Sequence, residues 1–85
     1  MLKSDKIKSG KLVFKYDKES DVLYAYINRP EKAISIEKGN GILIRKNPDD
    51  MSITGFTIID YKKRLQKGLL KSVPYFPKIS LPHFT

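Results

Sequence analysis

Through the first half of the chain, apolar side chains recur at every second position. Over residues 11–16, Leu12, Phe14 and Tyr16 share one face, and Lys11, Val13 and Lys15 share the other. That period of two predicts a strand with one side buried. Residues 17–21 hold no apolar side chain, and Asp and Ser bond readily to neighbouring backbone groups, so a tight turn is expected there. From Val22 to Ile27 both alternating sets are apolar: Val22, Tyr24 and Tyr26 on one face, Leu23, Ala25 and Ile27 on the other. Such a strand lies inside a sheet or is covered on both sides. Tyr16, Tyr24 and Tyr26 are expected to pack with their hydroxyls at a wet edge.

The rest of the chain continues this pattern. Pro30 lacks a backbone donor and marks residues 28–32 as a loop. Residues 33–37 alternate with Ile34 and Ile36 inward, Gly39 and Gly41 form a turn, and residues 42–45 form a short apolar strand. The Asn47-Pro48 pair opens the next turn. A last strand spans residues 52–59, and Gly55 within it predicts a bulge or a close backbone approach. Five strands joined by short polar turns give an α+β fold built on a small antiparallel β-meander. The buried set expected from this alternation is Leu12, Phe14, Leu23, Ala25, Ile27, Ile34, Ile36, Ile44, Phe56 and Ile58.

Beyond the sheet the period changes. Asp60 is positioned to cap a C-terminal helix over residues 61–72. Tyr61, Leu65 and Leu69 would form its packed flank, with Lys63, Arg64, Lys67 and Lys71 opposite, and Gly68 is a residue able to end it earlier. Residues 73–85 contain Pro74, Pro77 and Pro82, so an extended apolar tail is expected. That tail is too apolar to remain free in water. It completes the protein's own core or lies against another chain. Residues 1–10 are polar and lysine-rich and read as a flexible basic arm.

Composition narrows the function classes. Eighty-five residues make a single small domain, and 40% hydrophobic with 31% charged residues is a globular balance. Without cysteine there is no disulfide framework and no thiolate metal site. The opening residues lack a signal-like apolar run and no stretch approaches a membrane span, so a cytoplasmic location without membrane attachment is expected. The net charge of +8 is concentrated at the ends. Residues 61–85 carry six cations and no acid, whereas residues 12–60 carry seven cations and eight acids. A cationic end attracts nucleic acid or an acidic protein surface.

Nothing in the chain spells out catalysis. His83 is the single histidine, which leaves a nucleophile–histidine–carboxylate arrangement nearly excluded. Asp17, Glu19 and Asp21 alternate like the start of a calcium loop but lack its glycine and its later glutamate. Asp49-Asp50 sits in a turn where Asp bonds to backbone. No cofactor, metal or small-molecule substrate is implied, and the chain does not read as an enzyme.

Residues 15–24, Lys-Tyr-Asp-Lys-Glu-Ser-Asp-Val-Leu-Tyr, resemble the opening motif of a small prokaryotic family, domain of unknown function 2283. Gly55-Phe56-Thr57-Ile58-Ile59-Asp60 resembles its closing strand and helix start, and Gly41-Ile42-Leu43-Ile44 fits its glycine-led middle strand. The resemblance covers roughly residues 14–67, and the basic, proline-spaced tail lies outside it. The chain departs from the pattern in its single acid, Glu37, after the third strand and in the basic pair Arg45-Lys46. The resemblance implies a compact α+β unit with no catalytic residues. It also implies an antitoxin-like, partner-binding role, since genes of this kind often stand beside those of small toxin-like proteins.

Two binding readings follow. The first is an interaction domain that binds a protein partner or a second copy of itself, with unpaired sheet edges and the tail residues Tyr75 and Phe76 as contacts. The alternative is nucleic-acid binding. There Lys63, Arg64, Lys67 and Lys71 would follow phosphates, and Tyr75 and Phe76 would stack on exposed bases.

Overall fold

A computed structural model describes residues 6–70 and 72–83. Its elements are β1 (Leu12–Asp17), β2 (Val22–Ile27), β3 (Ile34–Glu37), β4 (Ile42–Lys46), β5 (Ile53–Ile59) and α1 (Tyr61–Gln66). The five strands form one fully antiparallel sheet in the order β1-β2-β5-β4-β3. The α+β class and the strand count match expectation, but the order is not the sequential one of a simple meander. β5 is buried at five of its seven positions, and the centre of the sheet is where such a strand loses least. β3 has four residues, none of them buried, and occupies an edge. The chain therefore leaves β2, crosses the end of β5 and β4 through residues 28–33, and enters the sheet again from its far side.

Register fixes the two faces. Leu12, Phe14 and Tyr16 stand opposite Ile27, Ala25 and Leu23, while Ile42 and Ile44 stand opposite Ile58 and Phe56. These side chains form the core face, with Leu23, Ala25, Ile44, Phe56 and Ile58 wholly buried. Between Arg45 and Lys46 the pairing slips: Gly55 faces Arg45 but Ile53 faces Lys46. The extra residue is a β-bulge, and it turns Ile53 onto the core face against the simple alternation. Gly55 also marks a close approach, since a Cβ there would lie 2.1 Å from the Ala25 carbonyl oxygen. Ile34 was expected to be buried and is 42% exposed, because β3 overhangs the covered part of the core. Ile36 is half-buried in the same strand.

The second layer consists of α1 and the tail. Helix α1 is one and a half turns, much shorter than residues 61–72. Gly68, at φ 67°, stops it: the Gly68 amide donates to Leu65 O and the Leu69 amide to Arg64 O. This crossed pair satisfies the last carbonyls and needs a residue free to take positive φ. Lys71, expected on the helix, is outside the described residues. The tail is not extended. The Phe76 amide donates to Val73 O and the Ile79 amide to Phe76 O, which gives two successive turns. Val73 is buried in the core, and Phe76, Ile79 and Leu81 pack against it. Phe76 meets Phe56 at 5.2 Å between ring centroids. Of the two expected outcomes, the tail completes its own core.

The N-terminal segment is tied down over residues 6–10, which were expected to belong to a flexible arm. The Ile53 amide donates to Lys6 O, the Lys8 amide donates to Ile53 O, and Lys8 Nζ pairs with Glu31 at 2.7 Å. The physical reason lies in β5, which outruns β2 and leaves backbone groups at Ile53 that need partners.

Candidate interaction face

The acidic side chains Asp17 and Asp21 of the first turn hold the fold together. Tyr16 Oη donates to Asp21 Oδ1 at 2.7 Å. The same carboxylate accepts the Lys62 amide at 2.7 Å and the Lys63 amide at 3.3 Å, while Asp21 O accepts the Tyr61 amide. Asp21, from the β1–β2 turn, thus caps α1. Asp60, the expected cap, sits at φ 56° and makes no side-chain cap bond. Burial raises the pKa of Asp21, but the Tyr16 hydroxyl, the two amides and the Lys63 charge outweigh it and hold the carboxyl below its ordinary value. The reciprocal bond raises the Tyr16 phenol, helped by burial and the nearby carboxylates. Asp17 is lowered chiefly by hydrogen bonds from Ser20, as befits a turn-forming residue.

The cationic stripe proposed for phosphates is smaller than the sequence implies. Arg64 is half-buried, its Nε donates to Ile59 O at 2.9 Å, and its guanidinium lies over Gly41. It is a clamp between α1 and the sheet. Lys63 and Lys67 are exposed, as is Lys62. Tyr75 lies 5.7 Å beneath Lys38 Nζ and Phe76 lies on Phe56, and both residues are half-buried. The Tyr61 hydroxyl donates to Pro82 O, and burial pushes that phenol up to about 12. Beside it, a cleft of ≈ 220 Å³ is lined by Tyr16, Tyr61, Leu65 and His83.

What the structure leaves open is the other face of the sheet. Helix and tail both lie on the core face. Three rows cross the opposite one. Lys15, Tyr24, Thr57, Leu43 and Glu37 make the middle row. Val13, Tyr26, Gly55, Arg45 and Ser35 make the second, and Asp17, Val22 and Ile59 begin the third. Val13, Val22, Tyr24, Tyr26, Leu43 and Thr57 are half-buried, and Ile59 is 42% exposed. A depression of ≈ 720 Å³ runs over Lys15, Tyr24, Tyr26 and Arg45, with Pro30 at one end and Lys18 and Glu19 at the other. Arg45 Nη2 donates to Glu31 O at 3.1 Å, which pins the 28–33 loop at the rim. On the strands of this face Lys15 and Arg45 balance Asp17 and Glu37.

Sequence reading pointed to the helix and tail and missed this face. The available signal was β2, apolar on both sides, which requires either a cover or a partner. Among the described residues no cluster of three or more His, Cys, Asp or Glu could hold a metal ion, and no helix is long and apolar enough to cross a membrane. No family model matches the chain, and no curated protein or solved structure matches it either.

Proposed function

We propose that this chain is a small interaction domain that binds a protein surface through the open face of its sheet. One observation carries the reading. The core face is sealed by the chain's own helix and tail, whereas the opposite face carries tyrosine, leucine and valine at half exposure with balanced charge. Tyrosine and arginine are the residue types enriched at protein interfaces, where they combine large contact area with a polar handle. The resemblance to domain of unknown function 2283 points toward partner binding as well.

The nucleic-acid alternative rests on Lys62, Lys63 and Lys67, which are exposed in a layer whose described residues include no acid. A phosphate backbone seeks net positive charge, and that charge lies on the other side of the molecule from the open face. A photo-activatable side chain placed at position 24 or 43, and separately at 62 or 67, tests both. In extracts, protein adducts are expected at 24 and 43. Nucleic-acid adducts at 62 or 67, with none of protein at the face, would reverse the assignment.

A further inference from the structure

Resting on that use of the open face, we infer that its occupant is a second copy of this chain, stacked face to face about a two-fold axis running along β5. The strand order makes β5 the middle of the sheet, with two strands on each side. Rotation about it therefore exchanges β1 with β3 and β2 with β4. Along the middle row, Tyr24 comes over Leu43 of the second copy, and Lys15 comes over its Glu37. Along the next row, Tyr26 comes over Arg45 of the second copy, with Gly55 on the axis and no side chain to hold the sheets apart. The contacts so formed are aromatic on aliphatic, aromatic under guanidinium, and cation beside carboxylate at the rim. Each occurs twice, as an isologous interface requires.

Charge decides between this occupant and a nucleic acid. The strand residues of the face carry two cations and two acids, and the two-fold axis sets Lys15 against Glu37 of the second copy. A polyanion would meet Asp17 and Glu37 without gaining a surplus of cations. Strands about 4.8 Å apart and sheets stacked about 10 Å apart make this an aligned sandwich, with strand directions within about 30°. The face offers on the order of 500 Å² per copy, below the roughly 800 Å² of a standard interface, so the association is weak and depends on concentration.

Sedimentation velocity from low to high micromolar protein tests the arrangement in four chains: wild type, Lys15→Glu, Glu37→Lys and the double exchange. Each single change sets like charges together at two symmetric places, and association should weaken about tenfold. The double exchange restores the pairs and should return to within about threefold of wild type. Wild type that stays monomeric at high micromolar concentration would overturn the inference, as would a double variant no better than the singles. A Tyr24→Asp chain with an unchanged far-ultraviolet spectrum should be monomeric. If it dimerises like wild type, the dimer forms through another surface and the second copy is overturned, whereas the broader reading stands or falls separately on the cross-linking at positions 24 and 43. Micromolar binding of a single-stranded oligonucleotide, lost in Tyr24→Ala, would assign the face to bases and overturn the second copy.

Discussion

Replacing Asp21 by alanine should remove more stability than any other single change in a turn of this protein. One carboxylate holds the Lys62 and Lys63 amides and the Tyr16 hydroxyl. Loss of a helix cap costs about 1–2 kcal/mol. Loss of a hydrogen bond to a charged acceptor costs about 1.5–3 kcal/mol. Because one side chain makes both contacts they do not simply add, and about 2–3 kcal/mol is expected. At this domain size 1 kcal/mol moves the midpoint about 4–8 °C, so melting should fall by roughly 10–20 °C. Asp21→Asn retains an acceptor and tolerates the left-handed backbone at φ 58°, so it should lose less than half of that. Thermal and urea unfolding of the three chains would measure it.

The same pair of variants carries a pH signature. The Asp21 carboxyl is held below its ordinary value in the fold, so the unfolded chain binds its proton more readily. Its contribution is complete above the unfolded-state value of about 3.9 and disappears as pH falls through the lower folded value. Asp17, Glu31 and Asp50 are lowered as well, so the wild-type acid transition is shared among several groups. The informative quantity is the difference: the wild-type advantage over Asp21→Asn should shrink as pH drops below that of an ordinary carboxylate. An alanine variant within a few tenths of a kcal/mol of wild type would refute the cap, and a difference independent of pH would refute the role of its charge.

Phe56, wholly buried between Phe14 and Phe76, should cost about 3–5 kcal/mol when truncated to alanine, read from urea unfolding. Gly55→Ala places a Cβ 2.1 Å from the Ala25 carbonyl oxygen, a backbone atom that cannot swing aside. It should cost more than the roughly 1–3 kcal/mol of ordinary overpacking, or else shift the β5 register, visible in amide chemical shifts. Truncation after Ser72 removes Val73, Phe76, Ile79 and Leu81 from the core. Against a stability of about 5–15 kcal/mol, that loss should abolish cooperative unfolding.

How much of this was readable in the sequence depends on how far apart the partners lie. The β1–β2 hairpin is local, and its alternation and turn chemistry are sufficient to predict it. The central position of β5 is not local, since it follows from which strand buries most of its residues when all five compete for the middle. Ile53 escaped the buried set because one bulged residue reverses the alternation that placed Phe56 and Ile58 correctly. The helix cap escaped because Asp21 and the Lys62 amide are far apart in the chain, while Asp60 stands at the position where a local cap would be found. Gly68 was legible as a stop, but choosing it over a longer helix required the paired amides of Gly68 and Leu69.

The candidate site was harder to read than the fold because what a surface offers depends on which side chains remain exposed, and contacts distant in the chain decide that. Six cations without an acid at the C-terminal end look like a binding surface when the chain is a line of letters. Folded, Arg64 is spent on the Ile59 carbonyl and Phe76 on the core. Lys62, Lys63, Lys67 and Lys78 are exposed on the layer that seals the sheet. The opposite face carries balanced charge, and its main sequence trace is a strand, Val22–Ile27, with no polar side. Among the described residues, helix and tail cover one face of the sheet and no second layer covers the other. The half-exposed tyrosines and leucine of that face are therefore where we propose that a second chain binds.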